Sequence, residues 1–136
     1  MLSIRIKESF KIPSFTVTDV EGASYNFTLN SNGYYESTNK KVANSAALCK
    51  LDITNLEDTA NIIFDCINSG ESDYDFGMIS KINTTLSTTN SQDSASNLFV
   101  NFKGQSSTNV VTKTYPISAV AACFFTLKFI KDSGTD

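Results

Sequence analysis

The sequence contains no histidine and no tryptophan, and Arg5 is its only arginine. Without histidine, Ser-His-Asp and Cys-His nucleophilic chemistry and every His-ligated zinc site are excluded. Charged residues make up 18% of the 136 positions, and the formal net charge is −3. That balance supplies no basic stripe, so a nucleic-acid partner is not expected. No apolar run approaches the ~18 residues that span a membrane, so no membrane partner is expected either. The opening MLSIRIKESF alternates apolar and polar residues and has no continuous apolar core of a secretion signal. Any route out of a cell is then lysis or a specialised apparatus. Cys49, Cys66 and Cys123 leave at least one thiol unpaired and form no CxxC, which argues against a secreted disulfide scaffold.

What the chain has in quantity is small polar residues, with 18 Ser, 15 Thr and 13 Asn among its positions. Its length suits one domain, which buries about two thirds of its unfolded surface and folds without metal or disulfide. Period-2 alternation dominates. Leu2, Ile4 and Ile6 share a face, as do Phe15 and Val17, and Tyr25, Phe27 and Leu29. Ala47, Cys49, Leu51 and Ile53 repeat the pattern with Lys50 and Asp52 opposite, followed by Ile62, Phe64 and Cys66, then by Tyr74, Phe76 and Met78. The strongest run sets Cys123, Phe125, Leu127 and Phe129 on one side. Each reads as a half-buried strand with a wet face. Phe125, Leu127 and Phe129 are expected to share a core with Phe64 and Phe76.

Turn clusters at Asp19–Gly22, Asn30–Gly33, Asn68–Gly70 and Asn101–Gly104 separate the runs. About ten short strands with such breaks predict an all-β, antiparallel sandwich of jelly-roll type. Residues 84–96 carry only Leu86 and Ala95 as apolar side chains and read as a long exposed loop. The one helical candidate is a turn capped by Asn55 over Leu56, Glu57 and Asp58.

The acids concentrate in residues 51–80, which hold Asp52, Glu57, Asp58, Asp65, Glu71, Asp73 and Asp75 and no basic residue. Glu71, Asp73 and Asp75 alternate like calcium ligands. An EF-hand loop, however, needs glycine at its sixth position and glutamate at its twelfth. Gly77 falls one place late and Ile82 stands at the twelfth, so an EF-hand is excluded. A looser oxygen-ligand site and a strand edge with acids facing water both remain open. No cofactor or metal is expected. A glycosidase couple needs two carboxylates facing across a cleft, and nothing in the spacing pairs any two. An enzyme is not expected.

Tyr34 and Tyr35 follow Asn32-Gly33 and precede Glu36, which puts aromatic faces, hydroxyls and a carboxylate in one short strand. One tyrosine of two neighbours must point inward, and the other is left either to stack on a ligand or to play a plain structural role. Tyr34, Tyr35, Glu36, Asp73 and Asp75 are therefore the ligand-binding candidates. The three cysteines fall on apolar faces and read as buried, inert thiols. Asn26 and Asn83 sit in glycosylation-type triplets, a chance pattern in a chain so rich in Asn and Thr.

The order of motifs carries a resemblance. NSNGYYESTNKKVANSAALCKLDI (Asn30–Ile53) is followed by IIFDCINSGESDYDFGMISKI (Ile62–Ile82), and the run closes with TLKFIKD (Thr126–Asp132). This arrangement resembles a jelly-roll module of tail, fibre and other virion proteins of phages and prophages. It is similar in layout to carbohydrate-binding and MAM-like sandwiches. The resemblance implies a non-enzymatic virion protein (tail, fibre, baseplate or capsid decoration), with copies of itself and other virion proteins as partners. The alternative it implies is a surface carbohydrate-binding module for a host glycan. Two departures stand out. Ser118–Ala122 replaces the usual Gly-Ser-His, and the module's closing strand after Lys-Asp-Gly has no counterpart. Residues 1–14 lie outside the resemblance as an N-terminal arm or edge strand, with the sandwich over 15–136. Leu2–Lys7 is suited to fill the vacant strand position, within its own chain or, as the favoured expectation, in a neighbouring subunit.

Overall fold

The computed structural model describes residues 1–8, 14–56, 60–69, 74–103, 110–117 and 120–133. Among these residues ten strands form two five-stranded sheets, and every pairing between them is antiparallel. The strands are β1 (Leu2–Glu8), β2 (Ser14–Asp19), β3 (Phe27–Leu29), β4 (Tyr35–Ser37) and β5 (Ala46–Leu56). They continue with β6 (Ala60–Asn68), β7 (Phe76–Ser80), β8 (Leu98–Lys103), β9 (Val111–Ile117) and β10 (Val120–Ile130). Sheet A has the order β3-β4-β1-β6-β9, and sheet B the order β2-β5-β10-β7-β8. The β-sandwich expected from the alternation is present.

The core lies between the sheets. Leu2, Ile4, Ile62, Phe64 and Cys66 of sheet A meet Cys49, Leu51, Ile53, Phe125, Leu127 and Phe129 of sheet B. Each set occupies alternate positions, so one face of every strand is dry. An aromatic chain crosses the gap. Phe64 meets Phe125 edge-on at 5.6 Å, Phe125 meets Tyr115 at 5.1 Å, and Tyr115 meets Phe99 at 4.7 Å. Such T-shaped contacts match ring edges to ring faces. All three cysteines are free and buried in this core, as their parity predicts.

Four expectations need correction. Phe76 does not join Phe64. Gly77 and Ile79 are the inward residues of β7, and Phe76 and Met78 belong to a second, smaller cluster on the outer face of sheet B. Gly77 is the inward residue because Leu2 Cδ1 and Phe102 Cζ both stand 3.0 Å from where its Cβ would be. Asn55 and Leu56 continue β5 rather than start a helical turn, since Leu56 pairs with Val120, while Glu57 and Asp58 lie outside the described residues. The one helical turn among the described residues is a 3-10 turn at Ala95–Asn97.

The segment near 84–96 is irregular, as expected, but it is not simply exposed. Leu86 is buried against Ala46, Leu48, Met78 and Ile130. Finally, β1 is neither a loose arm nor an edge strand. It runs inside sheet A, with Ile4 opposite both Tyr35 of β4 and Cys66 of β6. Its apolar face closes the core while both of its polar edges are hydrogen-bonded within its own chain.

Candidate functional site

Two surfaces concern the predicted ligand residues. The first is the outer face of sheet A. Asn30 Oδ1 accepts the backbone N–H groups of Asn32 (2.9 Å) and Tyr34 (3.0 Å), an Asx turn that launches β4. Gly33, at φ +84°, completes it with a left-handed conformation that suits glycine. Tyr35 then packs against the core, while Tyr34 and Glu36 fall on the outer face. The tyrosine pair thus divides as the alternation requires.

On that face Arg5 Cζ lies 4.9 Å from the Tyr34 ring centre, and Arg5 Nη2 donates to Asp65 Oδ2 at 2.9 Å. Thr112 Oγ1 donates to Asp65 Oδ1 at 2.8 Å, so β9, β6, β1 and the turn leading into β4 contribute to one row. The hydrogen bond to Asp65 is the main reason the Arg5 pKa rises further. Glu36 Oε1 accepts from Asn30 Nδ2 at 2.5 Å. The polar groups of this candidate set are therefore largely engaged with one another.

The second surface lies at one end of sheet B. Of its predicted residues, Asp73 lies outside the described residues. Asp75 does not face water as a strand-edge acid or a ligand would. It is fully buried, with Oδ2 3.2 Å from Lys131 Nζ and Oδ1 accepting the Asp132 N–H at 3.2 Å. Burial at that depth requires a partner charge, and Lys131 supplies it. A residue 56 positions away in sequence made this role invisible to local pattern.

The neighbour of Asp75 is the missed residue. Tyr74 was expected inward with Phe76 and Met78, yet 59% of it is exposed. It lines an open cleft of about 380 Å³ together with Asn44, Phe76, Asn90, Gln92 and Asp132. A second cleft of about 250 Å³ shares Asn44 and Asn90 with the first and extends past Tyr25 and Thr88. The floor is a cross-strand row, because Phe76 is opposite Ile130 and Ile130 is opposite Ala46. The wall is the loop held down by Leu86. Nothing in period-2 patterning marks this groove, since its walls are loops.

Among the described residues no group of three or more Cys, Asp or Glu side chains is placed to hold a metal ion. None of the described helices is long and apolar enough to cross a membrane. Compared with known proteins, the chain matches no protein-family model, no curated protein and no solved structure.

Proposed function

We propose that this chain is a non-enzymatic, jelly-roll-type structural module of a phage virion, working by assembly and by attachment to a host surface. The observation that carries the reading is strand order. A jelly roll places its strands so that successive ones alternate between sheets, apart from one central hairpin. From β4 onward this chain follows that rule, with β7 and β8 as the hairpin within sheet B. The inner orders β4-β1-β6-β9 and β5-β10-β7-β8 then correspond to the two four-stranded halves. In that correspondence β1 occupies the closing strand's place, the position for which the resembling module has a strand that this sequence does not match. Sequence resemblance and strand order support each other there. The Ser-, Thr- and Asn-rich surface suits a particle component exposed to solvent.

Localisation in the virion follows from this reading, with copies of the same chain and other virion proteins as partners. Mass spectrometry of particles banded from an induced culture of the source organism is the test. The expected result is the chain at the abundance of a structural component, and its absence from intact particles overturns the proposal. The second reading, a carbohydrate-binding module, is favoured by one observation, the aromatic and amide-lined groove beside Tyr74.

A further inference from the structure

We infer that this groove binds a neutral saccharide, with Tyr74 as the stacking platform and the carboxamides of Asn44, Asn90 and Gln92 as the hydroxyl-binding groups. The inference rests on the attachment role proposed above and gives that role a site and a ligand class. A sugar ring presents an apolar C–H face and a rim of hydroxyls that both donate and accept. It is therefore matched by an exposed aromatic face next to groups that also do both. A carboxamide offers two donors and an acceptor at once.

The geometry supplies these groups unspent. Tyr74 is exposed, with Phe76 half-buried beside it. The side chains of Asn44 and Asn90 make no hydrogen bond to another described residue, and Gln92 uses only its oxygen, which accepts from Asn101 Nδ2 at 2.9 Å. The wall is held in place. The Asn44 N–H donates to the Asp132 carbonyl at 2.6 Å, and Lys131 N–H donates to the Ser45 carbonyl at 2.9 Å. On the far wall, Lys128 Nζ donates to the Ser91 carbonyl at 3.0 Å, between the two ligand amides Asn90 and Gln92. A groove fixed before binding loses less entropy when it is filled. The two clefts together fall within the ~300–1,000 Å³ usual for ligand pockets.

The same features argue against other ligand classes. An anion finds one lysine in the lining, and that lysine is already paired with Asp75, with Asp132 adding a further negative charge. An extended peptide needs an open strand edge for its main-chain hydrogen bonds. The floor strands β5, β10 and β7 are each paired on both sides, so the groove provides none.

The test is a titration of the isotopically labelled full chain, followed by nuclear magnetic resonance. The probes are neutral gluco-, galacto- and N-acetylhexosamine oligosaccharides, with sialylated and sulfated glycans alongside. The expected result is that a neutral probe shifts the side-chain amide signals of Asn44, Asn90 and Gln92. Tyr74→Ala should weaken binding about tenfold, on the scale of one lost aromatic contact. Leu29→Ala, exposed on the other sheet, should leave affinity unchanged. Because Tyr74 is exposed, its variant should keep the core resonances, and a combined Asn90→Ala and Gln92→Ala variant provides an independent check. The inference is overturned if no neutral probe moves these signals, if only acidic glycans do, or if both groove variants bind as the parent does. A chain found on particles but failing this titration overturns the saccharide site and leaves the virion role standing.

Discussion

The outer faces of the two sheets are built from the same residue types and end up in opposite states. On sheet A, Arg5 and Thr112 flank a buried Asp65, and the Arg5 side chain remains 41% exposed. On sheet B, the loop after β7 folds back across β10 and β5, and Lys128 lies at 0% exposure beneath it. Lys128 Nζ meets Asp93 Oδ1 at 2.6 Å, Ser87 Oγ at 3.0 Å and the Ser91 carbonyl at 3.0 Å. A lysine on the wet side of a strand has thus become the nail that holds a roof, and Leu86 is the apolar part of the same fastening. The covering is partial, since Lys50 farther along sheet B remains half-exposed over the Phe124 ring at 4.7 Å. Charge on a β face says little about exposure until it is known what crosses above it.

The sharpest way to break this contrast is to remove the nail. Lys128→Met keeps the aliphatic stem but leaves the Asp93 carboxylate, itself 8% exposed, without its cation. Breaking a buried pair by deleting one partner costs about 3–5 kcal/mol, because the remaining charge is uncompensated. Urea melts of the variant measure it. A loss below about 1 kcal/mol would mean that the roof is already open in solution. Leu86→Ala tests the apolar half of the fastening and should cost about 3 kcal/mol, as buried Leu truncations do. Ile63→Ala, half-buried on the uncovered face of sheet A, should cost only about 1 kcal/mol. Equal losses at the two sites would erase the distinction between the faces.

How far this could be read in advance depended on the range of the interaction. The inward faces of β5 and β10 were legible because each is an unbroken alternation, and the cysteines followed from the same parity. In the strand around Phe76 the apolar alternation marks the outer face instead. Its true inward residues are Gly77 and Ile79, and a glycine carries no hydrophobic signal although the approach of Leu2 and Phe102 demands it. The burial of Asp75, Asp93 and Lys128 was not legible at all, since each depends on a partner 35 or more positions away. The groove was invisible for a related reason, being assembled from three loops and the end of a sheet. By contrast, the alternation of β1 predicted a strand, and a strand is what it forms.

Between the two outer faces lies the shared core, and its thiols give a pH test. Burial pushes the Cys66 thiol up to about 12, with the Asp65 charge adding to it, and burial drives Cys49 higher still. Cys123 is raised as well, again mainly by burial. Below the ordinary value of 9.0 these thiols are protonated in both the folded and unfolded states and contribute nothing to pH dependence. Above it the unfolded chain releases its thiol protons while the folded chain retains them, so stability falls as pH rises. Each fully shielded thiol contributes about 1.4 kcal/mol per pH unit in that window. Urea melts on either side of pH 9 should show the decline, and Cys66→Ala should make it shallower. A thiol reagent should label none of the three quickly without denaturant. Fast labelling of two or more would mean that the core is not closed between the faces.

The smallest expected effect is on the open face. Arg5→Gln removes the cation from Asp65 but leaves the Thr112 hydroxyl hydrogen-bonded to the carboxylate. Asp65 is itself only 5% exposed, so the variant leaves a shielded carboxylate, but the Thr112 hydroxyl still holds it and water can take the place of the part-exposed, salt-screened arginine. The variant should therefore lose clearly less stability than Lys128→Met, and the gap between Arg5→Gln and the parent should narrow as salt is added. The Lys128→Met loss should hardly respond to salt, because its pair is sealed from the solvent. Chemical melts of both variants at low and high ionic strength make the comparison directly. A salt response at Lys128 as large as that at Arg5 would place both charges in the same environment, and the roofed and open faces would have to be treated as one kind of surface.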